Sequence, residues 1–327
     1  MAWQKIGSDI DGVSSSDQAG WAVSLSDDGS VLAVASNQHD STKGHVRIFN
    51  KNNGEWEQVG GDIDGEASGD NSGRSVSLSG DGSIIAIGAY DNDGNGNNSG
   101  HVRIYQNNSG NWQQIGNDID GKTAEENTGH TVSLSNDGSI VAIGAPTNND
   151  GGHVRIYENN SGNWQQIGSD IEGENNDDDS GYHGLSLSGD GSTVAIGAYK
   201  NDGNGSDSGH VRIYQNNNGT WEQIGSDIDG ESAGDRSGFS VSLSNDGSIV
   251  AIGAYANDGN GTEAGHTRIY QNINNVWTQV ALDIDGEATG DRASRAVSIS
   301  SDGSIVGIGA YKNNGNGSDS GHTRIYG

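Results

Sequence analysis

The segment Asp62-Ile63-Asp64-Gly65-Glu66-Ala67-Ser68-Gly69-Asp70 sets four carboxylates at relative positions 1, 3, 5 and 9. Close copies carry Asp227, Asp229, Glu231 and Asp235, then Asp283, Asp285, Glu287 and Asp291. A second acidic type, Asp91-Asn92-Asp93-Gly94-Asn95-Gly96, recurs around Asp202 and Asp258. Carboxylates and amides at this density are the donors of a hard cation such as Ca2+, which takes six to eight oxygens. The glycine falls at position 4, whereas an EF-hand loop needs it at 6. Asp and Gly also serve turn geometry, with the Asp side chain bonding its own backbone. Two readings therefore stand: ion ligands drawn from Asp62, Asp64, Glu66, Asp70, Asp93, Asp202, Asp258 and the two later copies, or turns on a soluble surface.

Other residues break the pattern that these segments follow. Trp21 occupies the position held elsewhere by Arg74 or Phe239, and outside the repeat pattern its indole would suit stacking on a sugar. His39 and Asp40 lie in an atypical stretch, residues 37–43, and His183 lies in residues 181–188, which hold one residue more than the other copies. Trp21, His39, Asp40 and His183 are the positions at which an asymmetric ligand would be distinguished. In contrast, His45, His101, His153, His210, His266 and His322 each follow a glycine, and an arginine follows each two residues later. Sixfold recurrence assigns these to the architecture, with the arginines as charge partners of acidic loops or packing stems. No cysteine is available as a nucleophile. Ser135-Asn136-Asp137-Gly138 is too short for a sialidase Asp box, and no carboxylate pair stands out as an acid and base. The sequence predicts binding and no catalysis.

The balance of 45 acidic against 16 basic residues gives a net charge of −29, which repels a nucleic-acid partner. No apolar run reaches the roughly 18–20 residues of a membrane-spanning helix, so membrane insertion is not expected. Met1 leads into Ala2-Trp3-Gln4 without a basic start and apolar stretch, so no signal peptide is expected in this chain.

What must position these residues is a repeat. Trp3, Trp56, Trp112, Trp164, Trp221 and Trp277 recur at intervals of 52–57 residues. Within one unit, Val76 and Leu78 alternate with serines, Gly80-Asp81-Gly82 turns, and Ser83 to Ala89 is apolar on both faces. His101 to Tyr105 alternates again, and Trp112 to Ile115 completes the set after another turn. No helical period appears. The pattern predicts an all-β, six-bladed β-propeller of four-stranded antiparallel blades, one domain over residues 1–327. The chain starts at a fourth strand and stops at a third, so Trp3 to Ile10 is expected to complete the last blade and close the ring. The connections from strand four to one and from strand two to three would then share a face, and both are the acidic loops.

The stretch Ser237-Gly238-Phe239-Ser240-Val241-Ser242-Leu243-Ser244, then Ile249 to Ala254, then Gly265-His266-Thr267-Arg268-Ile269-Tyr270, resembles the FG-GAP repeat of integrin α-chain propellers. Gly144-Ala145-Pro146 reproduces part of the motif literally. The family's Asp-rich calcium loop between the first two strands is cut here to a bare turn such as Asn245-Asp246-Gly247-Ser248, so its ligands do not carry over. The resemblance implies a secreted or cell-surface protein that recognises a glycan or protein ligand. A structural or self-assembling coat protein is the alternative.

Overall fold

Period-two alternation and glycine-led turns give strands throughout, and the computed structural model describes residues 5–147 and 151–327 as a six-bladed β-propeller. Its Cα atoms group into two compact units, Met1–Ile143 with Glu158–Gln165, and Gly144–Tyr157 with Gln166–Gly327. In the first unit, the second blade is built from Ser75–Leu78, Ile84–Ala89, His101–Asn108 and Asn111–Gln114. These strands are antiparallel, with Val76 opposite Ile87, Ile87 opposite Arg103 and Tyr105 opposite Gln114. The first blade repeats the plan with Val23–Leu25, Val31–Ser36, His45–Asn52 and Glu55–Gln58. In the second unit, the fifth blade uses Ser237–Leu243, Ile249–Ala254, His266–Ile273 and Val276–Gln279. Among the described residues the one helical segment, His39–Thr42, is a coiled turn in which Asp40 and Ser41 have φ of 48° and 59°.

Two details differ from the expected blade. A fifth, two-residue strand lies inside each acidic loop: Ile63–Asp64 pairs the head of the first blade's third strand, Ile63 opposite Val46 and Asp64 opposite His45. The cause is Ile63, a single apolar residue in a polar segment, which is buried and can reach the core only in extended register. The sixth blade has three strands among the described residues, Ala293–Ile299, Val306–Ala310 and His322–Tyr326. Trp3, on which the expected closing strand begins, lies outside the described residues, and residues 5–12 form no strand. The extra residue in 181–188 is absorbed locally: Gly181 N–H donates to Gly197 O and Gly197 N–H to Gly184 O, bulging Tyr182 and His183 out.

Neighbouring blades are joined through small residues and tryptophans. The second strand is buried on both faces, as Ile84–Ala89 shows. Where that strand meets the next blade there is no room for a side chain, and a Cβ on Gly88 would lie 2.0 Å from the carbonyl oxygen of Gly129. The tryptophan donors reach back by one blade. Trp112 Nε1 donates to Val59 O at 3.1 Å, Trp164 to Ile115 O at 3.0 Å, Trp221 to Ile167 O at 3.1 Å and Trp277 to Ile224 O at 2.9 Å. Each such bond is worth about 1 kcal/mol, and its loss leaves a carbonyl unmet.

Gly88→Ala is expected to lower stability by about 2–3 kcal/mol, because the backbone of two blades must separate. Gly61→Ala, which meets nothing within 4 Å, is expected to stay within about 0.5 kcal/mol. Urea denaturation of both variants checks this, and equal midpoints would show that the blades do not touch at Gly88.

Candidate metal centres

The acidic loops are held in place by their own polar side chains. Asp70 is buried and accepts hydrogen bonds from Ala67 N–H at 2.9 Å and Asn92 Nδ2 at 3.1 Å. Asp235 does the same with Ser232 and Asn257, and Asp291 with Ala288 and Asn313. The backbone bonds close each four-to-one loop on itself, and the asparagine bonds tie it to a two-to-three loop, so the two loop types do share a face. Asp93, Asp202 and Asp258 are exposed, and each accepts a backbone N–H from five residues on, at Asn98, Asp207 and Glu263. The side chains of Asp64, Asp229 and Asp285 are exposed, while their carbonyls accept from Arg103, Arg268 and Arg324.

The remaining acidic residues gather round the repeated histidines. The two-residue strand brings the first Asp of each loop beside the head of the third strand, and a glutamine four residues earlier holds it there. Gln58 Nε2 donates to Asp62 at 2.7 Å, Gln223 to Asp227 at 2.6 Å and Gln279 to Asp283 at 2.6 Å. His101 Nδ1 then lies 4.0 Å from Glu66 and 3.7 Å from Asp118. His210 Nδ1 lies 3.7 Å from Glu174 and 3.8 Å from Asp227, and His266 Nδ1 lies 3.8 Å from Glu231 and 3.9 Å from Asp283. His153 with Asp170 and Glu172 makes a further group, and His322 stands 3.6 Å from Glu287. The groups at His101, His210 and His266 can hold a metal ion: in each, one imidazole nitrogen stands 3.7–4.0 Å from two carboxylate oxygens, too far for direct hydrogen bonds. Burial pushes the imidazoles of His101, His210 and His266 below the ordinary histidine range. The adjoining Arg103, Arg212 and Arg268 push the same way, while the carboxylates oppose. A neutral imidazole is the form that a metal requires.

An arginine belongs to the same network. Arg103 Nη1 is 3.9 Å from the other oxygen of Glu66, Arg212 Nη1 is 3.7 Å from Glu174, and Arg268 Nη1 is 3.9 Å from Glu231. This bears out the sequence reading of these arginines as charge partners of acidic loops. The sequence did not single out the histidines, Asp118 or Glu174 as members of one cluster. The available signal was the Gly-His pair followed by Asp-Ile-Asp after the next turn, which the two-residue strand folds back onto the histidine.

Trp21 is 47 % exposed, with the Arg74 guanidinium carbon 5.2 Å from its ring. His39 Nδ1 lies 3.0 Å from Asp17, and its ring stacks on His45 at 4.0 Å, so His39 joins a group with Asp17 and His45. Asp40 stands exposed beside it. His183 meets Tyr182 edge-on at 4.5 Å and Phe239 at 4.6 Å. Among the described residues no helix is long and apolar enough to cross a membrane.

The fold recurs in solved structures. Pseudomonas aeruginosa periplasmic gluconolactonase PpgL superposes with a TM-score of 0.59 at 15% identity, covering 90% of this chain and 78% of that one. A candidate 6-phosphogluconolactonase from Bacteroides fragilis gives a TM-score of 0.59 at 13% identity over 90% and 78%. Another from Bacteroides uniformis gives 0.51 at 13% over 81% and 85%. At these identities the likeness is one of fold. It corrects the expectation that catalysis is excluded, because chains named as lactonases share this architecture, and the lack of an outstanding carboxylate pair is no bar. No curated protein matches the chain. Residues 63–105 and 227–270 match the FG-GAP repeat, each from a two-residue acidic-loop strand through a following third strand. The chain is a six-bladed β-propeller in which two segments match the FG-GAP repeat.

Proposed function

We propose that the protein is a secreted, periplasmic or surface-displayed binding propeller that holds divalent cations on its acidic loop face and bridges a glycan or protein ligand through them. The observation that carries the reading is the repeated group of one buried imidazole and two carboxylates, as at His266, Glu231 and Asp283. A nitrogen donor among oxygens favours a zinc-type ion, while the outlying carboxylates Asp64, Asp229 and Asp285 favour calcium. FG-GAP repeats and the periplasmic gluconolactonase of the same fold support an address outside the cytoplasm.

A second reading has a specific observation in its favour. The arginine beside each glutamate makes the same groups a charge network that fastens the acidic loop to the third strand. In that case an added ion gains nothing.

Millimolar zinc or calcium is expected to raise Tm by several degrees, with full reversal by chelator, because a ligand that binds only the folded state stabilises it. Glu231→Gln combined with Glu174→Gln is expected to reduce the bound metal measured by elemental analysis. An unchanged melting curve with no retained metal leaves the charge network as the account of these clusters.

The histidines also set a pH dependence. Their pKa is 6.5 when unfolded and lower when folded, about 4 for His101, so the unfolded chain binds more protons in that interval. Stability is complete above pH 6.5 and is lost as pH falls toward 4. The turn carboxylates Asp81, Asp190 and Asp246, held below 3.8 when folded, lose their contribution only at lower pH. Thermal melts at pH 7, 5.5 and 4.5 without metal are expected to fall stepwise, and His101→Gln is expected to flatten the slope. A flat profile across that interval would show that the imidazoles are not kept neutral by folding.

A further inference from the structure

Ten arginines stand among 45 acidic residues, and six of them occupy the repeated third-strand position. Three of the other four, Arg236, Arg292 and Arg295, fall in one patch of the second unit, against Phe239, Tyr255 and Tyr311. Phe239 and Tyr255 are 5 % and 4 % exposed and meet edge-on at 4.7 Å, which makes a fixed aromatic floor. The guanidinium carbon of Arg295 lies 4.6 Å from the Phe239 ring centre, 5.3 Å from Tyr311 and 5.5 Å from Tyr255. The flanking arginines orient the rings. Arg236 Nη1 donates to the Tyr255 hydroxyl, and Arg292 Nη1 donates to the Tyr311 hydroxyl at 3.1 Å. Arg292 is in turn held by Glu263 at 2.6 Å.

Arg295 differs from both. It is exposed, and among the described residues it pairs with no carboxylate and donates no hydrogen bond. The rings stabilise its charge through their quadrupoles but leave its five N–H donors unmet. A planar fork of this kind matches a carboxylate, sulfate or phosphate in bidentate fashion. Tyr311, 42 % exposed beside it, offers a ring face to the C–H side of a sugar, and Lys312 Nζ lies 5.8 Å from the same ring. The net charge of −29 repels a long polyanion from the rest of the surface, which leaves a compact anion as the ligand that fits.

We propose that Arg295, on its floor of Phe239, Tyr255 and Tyr311, forms a binding site for an anionic sugar, a pyranose bearing a carboxylate, sulfate or phosphate. The site uses no metal and is independent of the cation reading above.

The test is calorimetric titration of the full chain in low salt with EDTA present, which removes any ion-bridged binding. Glucuronate, glucose 6-sulfate and glucose 6-phosphate are the charged probes, with glucose and inorganic phosphate as references. At least one charged sugar is expected to bind at least about tenfold more tightly than glucose or inorganic phosphate, and the one preferred names the anion's source. Arg295→Met, which keeps the stem on the rings, is expected to weaken that binding by about tenfold or more at unchanged Tm. Arg295→Lys should fall between, and Lys51→Met, which removes a cation that contacts none of these rings, should match the parent. Absence of binding by all three charged sugars overturns the proposal. So does equal binding of glucose, inorganic phosphate binding as tightly as any sugar, or an Arg295→Met variant with parental affinity.

Discussion

Everything on the loop face depends on a two-residue ladder. Ile63 opposite Val46, Ile119 opposite Val102, Ile228 opposite Val211 and Ile284 opposite Thr267 fold each acidic loop back onto the head of a third strand. The isoleucine supplies the drive, since it is the only large apolar side chain in its segment and the core lies directly beneath. The aspartate on one side of it is thereby carried to the histidine, and the carbonyl on the other side to the next blade's arginine. Asp64 O accepts from Arg103 Nη2 at 2.6 Å and Asp229 O from Arg268 Nη2 at 2.6 Å. One buried isoleucine per loop therefore sets a carboxylate beside its own blade's histidine and a carbonyl before the next blade's arginine.

With that ladder in place, the concentration of acidic groups becomes tolerable. Carboxylates packed together raise one another's energy unless they find donors. Here the buried Asp70, Asp178, Asp235 and Asp291 are spent as acceptors for asparagine amides and backbone N–H groups. Asn95 and Asn204 extend the same mesh by donating to Gly121 O and Gly230 O of the following loop. The asparagines and aspartates of these loops are thus scaffolding.

The blade plan was legible because its signals are local: serine alternation in Ser75–Leu78, two-sided apolarity in Ile84–Ala89 and a tryptophan in each outer strand. The small residues also read correctly, since Gly88 sits where two backbones approach. The fifth strand was not legible, because Asp-Ile-Asp-Gly has the composition of a turn and only the burial of Ile63 makes it a strand. The clusters were missed for a related reason. His101 and Asp118 are separated by the whole outer hairpin, and recurrence of the histidine in every blade argued for architecture. A cluster repeated in several blades satisfies that argument as well as a packing role does. Exclusion of catalysis failed differently: it was drawn from the absence of a distinctive residue pair, and absence in a fold this permissive carries little weight.

Repetition itself sorts the charges. A residue present in every blade must serve something that each blade has, and the six third-strand arginines do so by joining loop to strand. A residue present once is under no such obligation. Arg236, Arg292 and Arg295 are not repeated in every blade, yet they converge on Phe239, Tyr255 and Tyr311, and Phe239 itself stands where other copies have Trp21 or Arg74. Aromatic stacking holds a guanidinium without neutralising it, which a carboxylate could not do. In a chain with so many carboxylates, a cation kept from pairing is a more unusual feature than any acidic cluster. The asymmetry of this propeller is therefore cationic and aromatic against a repeated acidic background, and the two surfaces call for ligands of opposite charge.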